Sequence, residues 1–157
     1  MLNILKHKEY FTVVGANHRS SSMLFRDKLV IKKSQLANFY DRLLDVGIRQ
    51  AFVVSNTDRT EIYIFHDPTN EPTAEIIKLL SAHAGFGRGE IESQSYILTN
   101  SEAYKHLLAV CCALDSLVIG DTRSRDVIND SHNHAKQAAE RPAVHAARAA
   151  AKHAAAP

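Results

Sequence analysis

The order in which short β-branched runs and longer amphipathic runs alternate leaves this chain few possible folds. "YFTVVG" (residues 10–15), "QAFVVS" (50–55), "RTEIYIFH" (59–66) and "ESQSYILT" (92–99) are short and rich in Val, Ile, Thr, Tyr and Phe, and read as strands. Between the first two, Leu29, Leu36, Phe39, Tyr40, Leu43, Leu44 and Val46 recur at helical spacing, which predicts one helix over Leu24–Val46. Ser34 is its candidate N-cap and Gly47 its stop. A second helix follows the Pro-bearing loop of "DPTNEPTAEIIKLLSAHAGF", from Thr73 to Gly85. A third, "EAYKHLLAVCCAL", starts behind Asn100 or Ser101. The order β-α-β-β-α-β predicts an α+β, ferredoxin-like fold, an antiparallel four-stranded sheet backed by two helices. Extra helices follow, including a long C-terminal one.

Residues 1–100 read as the α/β unit, 101–126 as its helical extension, and 127–157 as an Ala/His-rich linker-type helix interrupted near Pro142. The last 15 residues hold nine alanines, which favour a helix but give it little to bury. Charge is uneven as well: residues 1–131 carry 15 basic against 16 acidic side chains. The remaining 26 carry four basic residues against Glu140 alone. His145, Arg148 and Lys152 would form one basic helix face able to meet phosphates, and a solvated Ala-rich helix would carry the same stripe.

No apolar run reaches the roughly 18–20 residues of a membrane helix, and the N-terminal apolar stretch is too short for a signal peptide. The cytoplasm is therefore expected. The two cysteines, Cys111 and Cys112, are adjacent, which excludes a disulfide framework and a cysteine-rich zinc site; core packing is their expected role. Nine histidines raise the idea of a haem or metal binder. Their spacing argues against it: His132 and His134 point to different sides of a helix, and His145 and His153 stand two turns apart.

The hairpin turn is the unusual segment. "SNTDRTEIY" (Ser55–Tyr63) joins two apolar strands without glycine, yet sets Asp58, Arg59 and Glu61 close together behind Thr57. Two further stretches stand out, "VVGANHRSSSMLFRDKL" (Val13–Leu29) and "HLLAVCCALDSLVIGD" (His106–Asp121). In this order the three resemble the VVGxNHKTAPVxxRE, STCNRTEIY and HLFRVASGLDSLVxGE motifs of the glutamyl-tRNA reductase family, in its N-terminal catalytic domain. The resemblance covers residues 10 to about 136.

The resemblance implies a two-step chemistry on glutamyl-tRNA. A cysteine thiolate takes the glutamyl group as a thioester, and NADPH reduces it to glutamate-1-semialdehyde, a tetrapyrrole precursor. It also implies a ferredoxin-like catalytic domain, a long connecting helix, a Rossmann domain for NADPH and a C-terminal dimerisation domain; a homodimer is expected only where that last domain is present. Arg59 matches the arginine that holds the substrate glutamate, a role suited to a planar guanidinium. His106 matches a histidine placed near the reacting carbonyl. Asn17 and His18 match a strand-end pair that lines the same pocket, and a plain loop role is equally open to them. Asp115 and Ser116 match a "DS" at a helix junction, where capping is the simpler role.

Three departures bear on activity. Thr57 stands in the nucleophile position in place of Cys, and an alcohol needs a dedicated base where a thiol does not. Asp58 replaces Asn, and its charge either repels a substrate carboxylate or neutralises Arg59. Ala113 replaces Gly. "GFGRG" (Gly85–Gly89) lacks GxGxxG spacing, so no NADPH site is expected in these residues. The expectation is a catalytic-type domain inactive as it stands; the alternatives are a non-catalytic glutamate-, tRNA- or partner-binding regulatory module and, more remotely, a haem binder.

Overall fold

The computed structural model describes residues 9–115, 126–133 and 135–137. Strand β1 (Tyr10–Asn17) lies at the centre of a four-stranded sheet, between β3 (Arg59–His66) and the short edge strand β4 (Tyr96–Thr99). The other edge is β2 (Ala51–Ser55), giving the order β2-β3-β1-β4 with every neighbouring pair antiparallel. The β1–β3 register runs unbroken from Tyr10 opposite His66 to Asn17 opposite Arg59. That register fixes which side chains share a face.

One face carries the larger apolar core. Val14, Ala16, Val53, Ile62 and Ile64 pack against α1 (Met23–Leu29), α2 (Lys33–Asp45), α3 (Thr73–Ala84) and α4 (Arg88–Gln94). Helix α2 contributes Leu36, Phe39, Tyr40 and Leu43, an i, i+3, i+4, i+7 stripe. The opposite face carries Phe11, Val13, Val54 and Tyr63 against α5 (Ser101–Cys111), with Val127 and Ile128 of the helical segment 126–133.

The single helix expected over Leu24–Val46 is two. Ser22, not Ser34, caps the first, its hydroxyl accepting from Phe25 N at 3.3 Å. The break falls at Val30–Lys32, because Ile31 turns into the core and donates its N–H to Ser55 Oγ at 2.8 Å. A tertiary bond has overridden the helical period there. Gly47 ends α2 as expected, at φ +84°, with Ile48 N bonded to Leu43 O at 2.9 Å. Gly85 ends α3 in the same left-handed way, φ +73°. "ESQSYILT" is a strand only from Tyr96; Glu92–Gln94 finish α4, whose Ile91 is buried in the core. The long C-terminal helix is described only as residues 126–133 and 135–137; its remainder, with His145, Arg148, Lys152 and His153, lies outside the described residues. Cys112 is exposed and Cys111 half-buried, neither in a disulfide, so the pair is not core packing. Among the described residues no helix is long and apolar enough to cross a membrane.

Candidate functional site

The glycine-free turn is built by Asn56. Its Oδ1 accepts from Asp58 N at 2.8 Å and Arg59 N at 3.0 Å, and its own N–H donates to Arg59 O at 2.8 Å. An asparagine side chain thus supplies the closure that glycine usually permits. Ser55 Oγ and Thr60 Oγ1 bridge the two strands at 2.8 Å, and Thr60 donates onward to Leu29 O at 3.3 Å. Thr57 stands exposed at the tip, its carbonyl held by Arg26 Nε at 3.3 Å. Arg26 Nη1 also donates to Ser21 O at 2.6 Å, which ties the turn to the start of α1. Among the described residues none hydrogen-bonds the Thr57 hydroxyl.

Alternation along β3 then aims Arg59, Glu61 and Tyr63 at the α5 face. Glu61 is fully buried and collects four donors. Its Oε1 accepts from Arg59 Nη1 at 3.0 Å, from His106 Nε2 at 2.7 Å and from the Tyr96 hydroxyl; Oε2 accepts from Tyr63 at 2.7 Å. Gly15 makes this possible. It lies opposite Glu61 on one side and Tyr96 on the other. A Cβ there would sit 2.6 Å from Thr60 O and 2.7 Å from Glu61 Cγ. The absent side chain leaves room for the Glu61 carboxylate to cross β1 toward β4 and α5.

Burial alone would push the Glu61 carboxyl up. The hydrogen bond from His106, the Arg59 charge and Tyr96 outweigh it and hold the group below its ordinary value. An ionised carboxylate only accepts, so His106 Nε2 carries a hydrogen, and in the neutral ring Nδ1 is left as the acceptor. Burial raises the Tyr63 and Tyr96 hydroxyls, and the Glu61 charge raises them further, so both remain donors. For Arg59, burial opposes the charge, but Glu61 and Asp115 more than restore it.

Asp115 completes the cluster. Its Oδ2 meets Arg59 Nη1 at 3.0 Å and Asn17 Nδ2 at 3.4 Å; its Oδ1 meets the exposed Arg19 at 3.2 Å; its backbone carbonyl accepts from Arg59 Nη2. Asn17 also closes the turn after β1, its Oδ1 accepting from Arg19 N at 2.9 Å. His18 is half-buried with Nδ1 unpartnered; burial lowers its affinity for a proton, against the opposing field of Asp115. A cleft of about 270 Å³ opens above, lined by Asn17, Arg19, Ser20, Tyr96, Leu98, His106 and Asp115.

Of the residues singled out in the sequence, Arg59 and His106 meet the Glu61 carboxylate and Asn17 meets Asp115, while His18 follows Asn17 at the end of β1 and Asp58 precedes Arg59 in the turn. Thr57 is on the turn but not in that network, Asp58 is buried, and Ser116 lies outside the described residues. Sequence reasoning missed Glu61 and Tyr96 as site members and gave Asp115 only a capping role. The i, i+2, i+4 spacing of Arg59, Glu61 and Tyr63 was the available signal for Glu61. Among the described residues no group of three or more His, Cys, Asp or Glu is arranged to hold a metal ion. "GFGRG" connects α3 to α4, two helices beside an antiparallel sheet, and does not fit a dinucleotide by the strand-turn-helix route.

The model of the glutamyl-tRNA(Glu) reductase N-terminal domain matches residues 14–156. Glutamyl-tRNA reductase of Pseudoalteromonas translucida is 30% identical over 124 residues, 78% of this chain and 29% of the relative. That of Synechococcus elongatus is 32% identical over 113 residues, 71% of this chain and 26% of the relative. In structure the chain resembles glutamyl-tRNA reductase from Methanopyrus kandleri with a TM-score of 0.63, over 82% of this chain and 28% of that one; at 18% identity the likeness shows the fold alone. The chain thus spans less than a third of the length of these relatives. The α+β fold, the family model and the two curated relatives together place this chain in the glutamyl-tRNA reductase family, as a form of its N-terminal domain.

Proposed function

We propose that this is a catalytic-type domain that recognises the glutamyl end of glutamyl-tRNA and has lost the covalent step. One observation carries the reading: Glu61 couples Arg59, Tyr63, Tyr96 and His106 into a single buried network beside the cleft. Its roles divide by chemistry. Arg59 supplies the guanidinium for a substrate carboxylate, Asn17 and His18 border it, and His106, oriented by Glu61 and Tyr96, faces the reacting carbonyl as polariser or proton carrier. Ser116 belongs with them by the family's motif.

Thr57 occupies the nucleophile position with no base beside it among the described residues; on this reading the chain forms no acyl-enzyme and is inactive as it stands. Buried Asp58 adds negative charge to the same turn. The hydride step that NADPH serves in the family is not assigned to these residues. The strand order with all pairs antiparallel supports reading the sheet as ferredoxin-like. Residues 1–100 and 101–126 then form one unit, with 127–157 as a linker-type helix. Two cysteines outside any disulfide fit a reducing compartment, the cytoplasm.

The test is binding of charged against uncharged glutamate tRNA by filter retention. A preference of about tenfold or more for the charged form, lost in His106→Ala, is expected; about 1.4 kcal/mol of glutamyl contacts suffices for that ratio. Equal binding of the two forms overturns recognition of the glutamyl group.

A further inference from the structure

The guanidinium assigned above to a substrate carboxylate is fully buried, and one of the groups covering it is a carboxylate of the same chain. We propose that Asp115 is an internal competitor for the Arg59 site: the turn Cys112–Asp115 is a latch that must swing aside before a ligand carboxylate can enter. The inference rests on the recognition role of Arg59.

Asp115 fills the site incompletely. Its carboxylate meets only Nη1 of Arg59, at 3.0 Å, its backbone carbonyl takes Nη2, and Nε is buried without a partner. A carboxylate arriving from outside and docking across Nε and Nη2 would be bidentate and would give Nε the partner it lacks. Ala113 sits at φ +57°, a conformation in which a Cβ is strained, and Leu114 is 62% exposed. Backbone bonds tie Cys112, Ala113 and Leu114 to Leu108, Val110 and Ala109 of α5, whereas the Asp115 side chain is held by its polar contacts. Two of these holders, Arg19 and Asn17, line the cleft together with Asp115. Exposed Arg19 is thus a first cation for an incoming carboxylate, and it already touches the group to be displaced. A closed latch lowers apparent affinity by the fraction of molecules that are open.

Arginine modification by phenylglyoxal, followed residue by residue in the whole chain by peptide mass mapping, tests this directly. In the unaltered protein Arg59 should react far more slowly than exposed Arg88. Asp115→Asn should speed Arg59 modification about tenfold, as a charge-assisted contact becomes a neutral one, while buried Arg26 stays protected. Ala113→Gly relieves the strained turn, holds the latch shut and should slow Arg59 about fivefold with Arg26 unchanged. An Arg59 rate unmoved by both substitutions overturns the latch. Should Asp115→Asn expose Arg26 as well, Ala113→Gly decides alone: slower Arg59 supports the latch, and an unchanged rate overturns it. Adding L-glutamic acid α-methyl ester to Asp115→Asn separates the two readings. Protection of Arg59 supports both; acceleration without protection leaves the latch standing and removes the recognition role.

Discussion

The four strands present one backbone to two differently built faces. Toward α1–α4 the sheet offers Val14, Ala16, Val53, Ile62 and Ile64, and the buried polar groups on that side, Thr12, Thr60 and the Tyr40 hydroxyl, are neutral. Toward α5 the same strands are divided. One half stacks Phe11, Phe52, Tyr63, Phe65 and Tyr104, with ring centroids 4.4–5.9 Å apart. The other half buries Arg59, Glu61 and Asp115. Apolar burial is forgiving, because any side chain of similar volume restores it. A buried ionic cluster is not. Desolvation consumes most of its Coulomb gain, and it holds only while each partner is present. Such a cluster adds little net stability, so its place beside a cleft points to chemistry rather than to packing.

Near-isosteric exchanges on the two faces give the sharpest contrast. Glu61→Gln leaves Arg59 with half its buried countercharge and should cost about 3–5 kcal/mol in urea unfolding. Ile64→Leu on the apolar face should cost less than about 1.5 kcal/mol. Similar losses would erase the distinction between the faces. Next in size is Gly15→Ala, which drives a Cβ into Thr60 O and Glu61 and should cost roughly 1–3 kcal/mol, together with the Glu61–His106 contact. Gly47→Ala, with open space around it but φ +84°, should cost roughly 1 kcal/mol and leave the site intact. The His106 side-chain NMR signals distinguish the two: only the first variant should shift them.

A smaller effect falls at the sheet edge. Tyr40 accepts from Val53 N at 2.9 Å and donates to Ser131 O at 3.4 Å, which ties residues 126–133 to β2. Burial pushes its hydroxyl up to about 12, so it stays a donor throughout the physiological range. Tyr40→Phe should cost about 1 kcal/mol by denaturant titration; no change would mean that water replaces both bonds.

The pH dependence is the mildest probe. His18 is buried toward its neutral form, with its proton affinity below the ordinary 6.5. Its contribution is therefore fully present above 6.5 and declines as pH falls toward the depressed value. Glu61, also held low, keeps its full contribution above the ordinary carboxylate value of 4.5 and loses it progressively as pH falls from there through its depressed value. The midpoint of urea unfolding should drop in two stages on acidification, and His18→Gln should flatten the first. A first stage unaltered in that variant would assign it elsewhere.

What the sequence disclosed follows from where each signal is local. Strand β3 was legible to the residue, because "RTEIYIFH" alternates between two buried faces and is bounded by polar turns. The ends of α2 and α3 were legible because Gly47 and Gly85 carry the positive φ. The break at Val30–Lys32 was not, since it depends on a bond from Ile31 to Ser55, 24 residues away. The site divided along the same line. Arg59 and His106 came from motif resemblance. Tyr96 and Asp115 enter through contacts 35 and 56 residues distant from Glu61 and Arg59, which no local pattern encodes.

The most direct test returns a thiol to the turn. In Thr57→Cys, a thiolate at position 57 should attack the ester carbonyl of glutamyl-tRNA. A carbon–sulfur bond forms, the bond to the ribose oxygen breaks, and the tRNA leaves as the protonated alcohol. Mass spectrometry of the peptide carrying residue 57 should then show one added glutamyl group in Thr57→Cys and none in the unaltered chain. A folded Thr57→Cys protein that gains no glutamyl group, or an unaltered chain that does, contradicts a recognition site kept intact around a lost nucleophile.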